Sequence, residues 1–337
     1  MAATLARPSR PAVLLTAASV VLLAASTALF VARFVPLRAL PVQPDTWAMA
    51  TAFTDLAAPG TGLAAVAATL ALVLRRRAGR VVLVVLCAAM TGLQVLLLAP
   101  RWVAAAPTGT EASFTVLALN ARLGQADPAG LAAAARTADV VVLTEVTAPQ
   151  LRALAPTRLT ERLPHRNVGP LPATGGAGTA VLSRFPVTAT TALSADLGSQ
   201  GWVCRVELPG LEPALTVVGV HPARPRLGGS DWLPEQEELR AALPRTGPRL
   251  LAGDFNAVAS HPTQRALVRD GWRSAVDEAG AGWVPTYPAD SPRVPPMIDI
   301  DHVYVAGGLR ATAARSVAVA GTDHLGLLVT VAVTAGA

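Results

Sequence analysis

Three long uncharged runs open the chain, and short apolar runs separated by polar turns fill the rest. Between Arg10 and Arg33 lie 22 residues without a charge, and between Arg80 and Arg101 another 20. About 20 apolar residues in a helix cross the roughly 30 Å of bilayer hydrocarbon. A third uncharged run, from Leu56 to Leu74, carries Pro59 and Gly60 near its start, residues tolerated where neighbouring helices re-satisfy the backbone. The pattern predicts transmembrane helices over 11–32, 48–74 and 81–100 within a membrane anchor spanning 1–109. From Ser113 the rhythm changes. Short β-branched runs predict strands at 114–119, 139–144, 179–183, 202–208, 215–220, 249–253, 301–305 and 325–333. Ala- and Leu-rich stretches between them predict helices at 128–137, 147–155, 235–243 and 262–269. Strands interleaved with helices predict a layered α/β domain over 110–337.

Charge sharpens this division. The net charge of +6 invites a nucleic-acid reading, but residues 1–109 carry +7 of it and residues 110–337 carry −1. A surface that tracks polyanions shows net basicity of the domain itself, so the basicity belongs to the membrane flanks. Arg7, Arg10, Arg75, Arg76, Arg77 and Arg80 fall on one side of the predicted spans; Arg33, Arg38 and Arg101 fall on the other. The positive-inside rule then predicts a multi-pass cell-membrane protein with a cytoplasmic amino terminus and an extracellular 110–337 domain. A cleaved signal peptide is the competing reading of the first run, and the two later spans argue against it. Cys87 and Cys204 fall in different parts of the chain and suggest no disulfide.

The polar residues of the second part sit at strand ends. Asn120 ends the first predicted strand, Glu145 follows the second, and His221 follows LTVVGV. Asp254 and Asn256 lie in GDFN after another strand; Asp301 opens the next, and Asp323 and His324 precede the last. Carboxylates, an amide and imidazoles at strand ends converge on one edge of a sheet, where hard oxygen ligands can hold a divalent cation.

In this order and spacing the residues Asn120, Glu145, His221, Gly253-Asp254-Phe255-Asn256, Ile300-Asp301-His302-Val303 and Thr322-Asp323-His324 resemble the endonuclease/exonuclease/phosphatase (DNase I-like) superfamily. The resemblance implies a four-layer sandwich of two β-sheets flanked by helices, with a Mg²⁺ or Mn²⁺ site at its top. It implies Glu145 as principal metal ligand, with Asn120 and Asp323 close to the ion. Asp254 would orient and deprotonate the attacking water, Asn256 would position it, and His324, oriented by Asp301, would contact the phosphate. His221 would donate to a phosphate oxygen or assist the leaving group. Two positions depart from the family pattern: Thr144 stands where Gln often precedes the Glu, and Thr322 replaces a Ser. Asp299 competes with Asp301 for the aspartate role, and the His-Val-Tyr-Val run favours Asp301.

Other polar residues carry plainer readings. The GGAG run at 175–178 reads as a turn before a strand, Arg224 and Arg226 as a solvated loop, and His165, His261 and His302 as structural or surface residues. Trp202, Trp232, Trp272 and Trp283 read as packing rather than a base-stacking platform. Three functions follow. The first is hydrolysis of a lipid-linked phosphate, such as a polyprenyl pyrophosphate or a phospholipid, since a tether beside the bilayer raises effective concentration toward its lipids. The second is an extracellular nuclease, disfavoured by the domain charge and by only 4% aromatic residues. The third is a catalytically silent binding domain, which the intact constellation opposes.

Overall fold

The computed structural model describes residues 10–35, 42–105, 110–167 and 169–334. Arg7 and Arg38, counted above for orientation, lie outside them. Contacts gather the chain into two compact units, one from residues 1–40 and 50–99, the other from 41–49 and 100–337.

Four helices come first: α1 (Arg10–Ala32), α2 (Pro44–Thr51), α3 (Ala57–Leu74) and α4 (Ala78–Leu98). Three helical stretches, Arg10–Ala32, Pro44–Leu74 and Ala78–Trp102, are long and apolar enough to cross a membrane. The middle one starts earlier than the pattern predicts and is broken between Thr51 and Ala57. Pro59 accounts for the break: it lacks an N–H and fits only the first turn of a new helix, α3. Within the first unit, α1 and α3 lie together, with the Ser19 hydroxyl donating to Ala64 O at 2.8 Å. Arg80, 6% exposed, donates to Ala71 O (3.2 Å) and Arg75 O (2.8 Å) at the end of α3, supplying carbonyls left open at a helix terminus.

The second unit is built on two six-stranded mixed sheets. In chain order its elements are β1 (Thr110–Asn120), α5 (Pro128–Ala134), β2 (Val140–Thr144), α6 (Ala148–Ala153), α7 (Leu159–Arg162), β3 (His165–Arg166), β4 (Thr179–Ser183), β5 (Val187–Ala192) and β6 (Trp202–Val206). These are followed by β7 (Leu215–Val220), α8 (Trp232–Ala242), β8 (Arg249–Asp254), α9 (Pro262–Arg269), β9 (Arg273–Ser274), α10 (Ala275–Glu278), β10 (Asp301–Ala306), β11 (Leu309–Val317) and β12 (Gly326–Thr334). One sheet runs β11-β12-β1-β2-β4-β3 and the other β5-β6-β7-β8-β10-β9. Each has one parallel pair, β1 with β2 and β7 with β8, joined through a helix; the remaining pairings are antiparallel.

The layers follow from the side-chain alternation. Val116 and Ala118 of β1, Val140 and Val142 of β2, Leu215 and Val217 of β7, Leu250 and Ala252 of β8, and Val303 and Val305 of β10 share one buried cluster between the sheets. Leu117, Leu119, Val141 and Leu143 point the opposite way and pack with Leu131, Leu151 and Leu154 of the α5–α6 side. On the far face of the second sheet, Tyr304 Oη donates to Gln264 Oε1 of α9 at 3.0 Å, and Gln264 donates to Gln236 of α8, also at 3.0 Å. The helix predicted over 128–137 stops at Ala134, and the Arg162 guanidinium takes the carbonyls of Ala135 and Ala138 beyond its end.

Candidate active site

The site begins where the inter-sheet core ends. Continuing each inner register by two residues leads from Ala118 to Asn120, from Val217 through Gly219 to His221, from Ala252 to Asp254, and from Val303 back to Asp301. Asn120, His221 and Asp254 lie at the carboxyl ends of the parallel strands, where a doubly wound sheet opens its crevice. Asp301 lies directly opposite Asp254 in the β8–β10 register. Glu145 would point away by alternation, but its φ of 51° turns it inward. Arg122, Leu123 and Asn256 also have positive φ, at 47°, 53° and 50°. Left-handed backbone costs a non-glycine residue roughly 1 kcal/mol, and these four residues gather at one rim. The local reward is visible: Leu123 N–H donates to Glu145 Oε2 at 2.9 Å, and Arg122 N–H donates to Asn120 Oδ1 at 2.8 Å.

Asp254 is the centre. It is 2% exposed, and its Oδ1 accepts the Asn256 N–H at 2.8 Å. Three nitrogens surround its Oδ2: Asn120 Nδ2 donates at 2.9 Å, while His221 Nε2 and His324 Nε2 stand 3.6 and 3.8 Å away. The last two distances are too long for hydrogen bonds, so both imidazole edges remain available to another oxygen. Asn120 Nδ2 also donates to Glu145 Oε1 at 3.2 Å, and that oxygen lies 3.8 Å from His221 Nε2.

Asp301 and His324 form a buried pair with Nδ1 and Oδ2 2.8 Å apart. Burial alone would lower the His324 pKa, but the charge and hydrogen bond of Asp301, with Asp254 and Asp323 behind it, raise it to about 10. The ring is therefore an imidazolium at neutral pH, its Nε2–H aimed at the crevice. Thr286 Oγ1 lies 3.3 Å from the Asp301 N–H and accepts from it. Thr322 Oγ1 donates to Asn120 O at 2.7 Å and accepts the His324 N–H at 3.1 Å, so the Thr-for-Ser departure keeps its hydroxyl in use. Asp299 lies 3.6 Å from the Arg101 guanidinium instead, which separates the two competing aspartates.

Asp323 stands slightly apart. Its carboxylate lies 3.8 Å from Arg122 Nε, and the same guanidinium pairs with Asp290 at 2.9 Å. No arginine pairs with Glu145 or Asp254 among the described residues. Two carboxylates facing one crevice with imidazoles but no arginine beside them are a donor set that suits a hard divalent cation, and Glu145, 21% exposed at its side chain, is the open one. Asp254, Asp301 and His324 also offer ligand atoms within 4.8 Å of one another. There, however, the Asp301–His324 hydrogen bond already uses two of the three, so that corner reads as a proton-holding pair.

The sequence pattern passed over several neighbours. Tyr287 packs its ring 5.0 Å from that of His324; one of only two tyrosines, it lies in a proline-rich loop without periodicity. Arg122 follows Asn120 by two residues, a signal available but unused. The GGAG run serves the backbone: a Cβ on Gly178 would meet Val146 O at 2.0 Å, so the chain next to Glu145 requires glycine there. His261 and His302 are buried away from the crevice and bond to backbone carbonyls. Trp232 is fully buried packing.

Two mixed sheets packed face to face between helices, with an Asp–His pair and a carboxylate–amide cluster at the strand ends, define the DNase I-like class of phosphoester-processing folds. The chain belongs to the Endonuclease/Exonuclease/phosphatase family, whose pattern matches residues 117–324. Among solved structures, an endonuclease/exonuclease/phosphatase from Beutenbergia cavernae superposes with a TM-score of 0.53 at 22% identity, covering 66% of this chain and 72% of that one. TDP2 of D. rerio complexed with a single-strand DNA product gives 0.51 at 16% identity, over 66% of this chain and 99% of its own. No curated protein matches the chain.

Proposed function

We propose that the chain is a divalent-metal-dependent hydrolase of a phosphoester or pyrophosphate, acting on a lipid-linked phosphate such as a polyprenyl pyrophosphate at the outer face of the cell membrane. The observation that carries the hydrolase reading is the convergence of Asn120, His221 and His324 on Asp254 Oδ2, with Glu145 bonded to the same Asn120 amide. A bound Mg²⁺ or Mn²⁺, held by Glu145 with Asn120 and Asp323 near it, would neutralise phosphate charge and polarise the phosphorus–oxygen bond. The protein groups do the rest. Asp254, fixed by the Asn256 N–H and the Asn120 amide, accepts the proton of the attacking water. Asn256, its side chain tied to Pro222 O at 3.1 Å, sets the approach of that water. The His324 imidazolium donates from Nε2 to a non-bridging phosphate oxygen, and Asp301 keeps that proton in place. His221 offers its Nε2 to the same phosphate or to the leaving oxygen.

The lipid-linked substrate is supported by the three apolar helices in the same chain. The nuclease alternative draws on TDP2 complexed with a single-strand DNA product, at a likeness that speaks to fold alone. The deciding assay is phosphate release from a polyprenyl pyrophosphate by the detergent-purified full-length protein, with Mg²⁺ and with EDTA. Release that requires metal and disappears in Asp254→Asn supports the proposal; absence of release there, with cleavage of DNA, transfers the assignment to a nuclease.

A further inference from the structure

Residues 44–49 open the middle apolar stretch, yet their contacts group them with the sheet domain. Asp45 is 2% exposed. Its Oδ1 accepts the Arg226 N–H at 2.8 Å and the Ser230 hydroxyl as well. Ser230 Oγ also lies 3.1 Å from Arg224 O and accepts the Trp232 N–H at 3.1 Å. One carboxylate oxygen thus gathers the loop that follows His221.

The next turn of α2 reaches the second catalytic loop. His261 Nδ1 accepts the Val258 N–H at 3.2 Å, so its proton sits on Nε2, which donates to Ala48 O at 3.1 Å. Trp47, 5% exposed, packs its ring 5.8 Å from that imidazole. Trp232 meets the same imidazole edge-on at 5.4 Å and donates Nε1–H to Asn256 O at 2.9 Å. The segment therefore touches both loops that carry the catalytic groups, one after β7 and one after β8. It does so from outside both sheet-packing clusters: among the described residues, no fully buried member of either precedes Phe114.

We propose that the α2 segment, through Asp45 above all, is a positioning element of the active site, holding His221 and the Asp254–Asn256 turn in mutual register. The kinetic side of this inference rests on the hydrolase reading; the structural side does not. Asp45→Ala removes the shared acceptor, whereas Asp45→Asn retains an oxygen at the same place. The test uses the full-length protein in detergent, with amide hydrogen exchange and turnover of bis-p-nitrophenyl phosphate measured on both variants. Asp45→Ala is expected to speed exchange about tenfold in 222–231 and 255–261 while β1, β2, β7 and β8 keep their protection. Its kcat should fall about tenfold, with KM changed much less, since loose orientation is a cost at the transition state. Asp45→Asn should restore both to near the unaltered level. Unchanged exchange in the two loops overturns the proposal, as does faster exchange spread evenly over both sheets, or failure of Asp45→Asn to rescue. Local loosening in a protein that turns over no phosphoester supports the positioning role and refutes the hydrolase reading alone.

Discussion

The Asp301–His324 pair shows how much one hydrogen bond can decide. Asp301 is the charge that keeps the His324 imidazole protonated to about 10 against a burial that opposes it. Asp301→Asn leaves the shape and removes the charge, so kcat/KM at pH 7 should fall by roughly hundredfold, and activity should recover partly at lower pH where the ring is protonated without help. A pH–rate profile of the variant checks this; a profile parallel to that of the unaltered protein would show that His324 does not act as an acid. EDTA should abolish turnover in both proteins, with Mg²⁺ or Mn²⁺ restoring it, if Glu145 holds a cation with Asn120 and Asp323 near it. Most of these residues were legible in the sequence, for a plain reason. They occupy the next inward position after each apolar register, where a side chain can leave the core without leaving the sheet. What the pattern could not show was which carboxylate meets which imidazole, because those distances depend on the stacking of two sheets.

At the scale of elements, legibility divided along a physical line. The eight strands predicted from apolar runs are the interior strands β1, β2, β4, β6, β7, β8, β10 and β12. The four that escaped, β3, β5, β9 and β11, are the four sheet edges. Interior strands other than β6, whose WVCRV run carries an exposed Arg205, are largely covered on both faces and read as hydrophobic runs; edges such as VTATTA in β5 face water and carry no such signal. The approach of β8 to β7 depends on Gly253, whose φ of 149° is a conformation that L side chains rarely adopt. A Cβ there would lie 1.9 Å from Val220 O. Gly253→Ala should therefore lower stability by about 3 kcal/mol and displace Asp254, read as a lower denaturation midpoint with activity lost beyond the unfolded fraction.

For the whole molecule, pH should act on stability from both sides. Burial lowers His261 to about 3 and His302 to about 4 from an ordinary 6.5, so the fold refuses protons that the unfolded chain accepts. Their contribution is complete above pH 6.5 and is lost as pH falls toward 4, at about 1.4 kcal/mol per pH unit for each ring. His324 works in the opposite sense: its contribution is complete below 6.5 and is lost as pH rises through 10. Thermal midpoints across pH should trace a maximum near pH 6.5 that falls on both flanks; a flat acid limb would mean the two buried rings are solvated. The orientation expected from the arginine count has an equally direct check. Leu227 is 81% exposed, whereas Cys87 and Cys204 are buried. Leu227→Cys should be labelled by a membrane-impermeant maleimide in intact cells if the domain is extracellular, and only after permeabilisation if it is not.

The pairing of β1 with β12 also has a consequence in time. Phe114 lies opposite Val331, and the Thr322 hydroxyl reaches the carbonyl of Asn120 across 202 positions of chain. During synthesis β1 can meet β2 early but must wait for nearly the whole domain before β12 exists, and contacts of such long range form slowly. Asn120 and His324 meet only once that wait is over. A nascent chain halted before β12 should therefore be silent toward any phosphoester, which makes activity a reporter of synthesis through β12 as well as of correct folding.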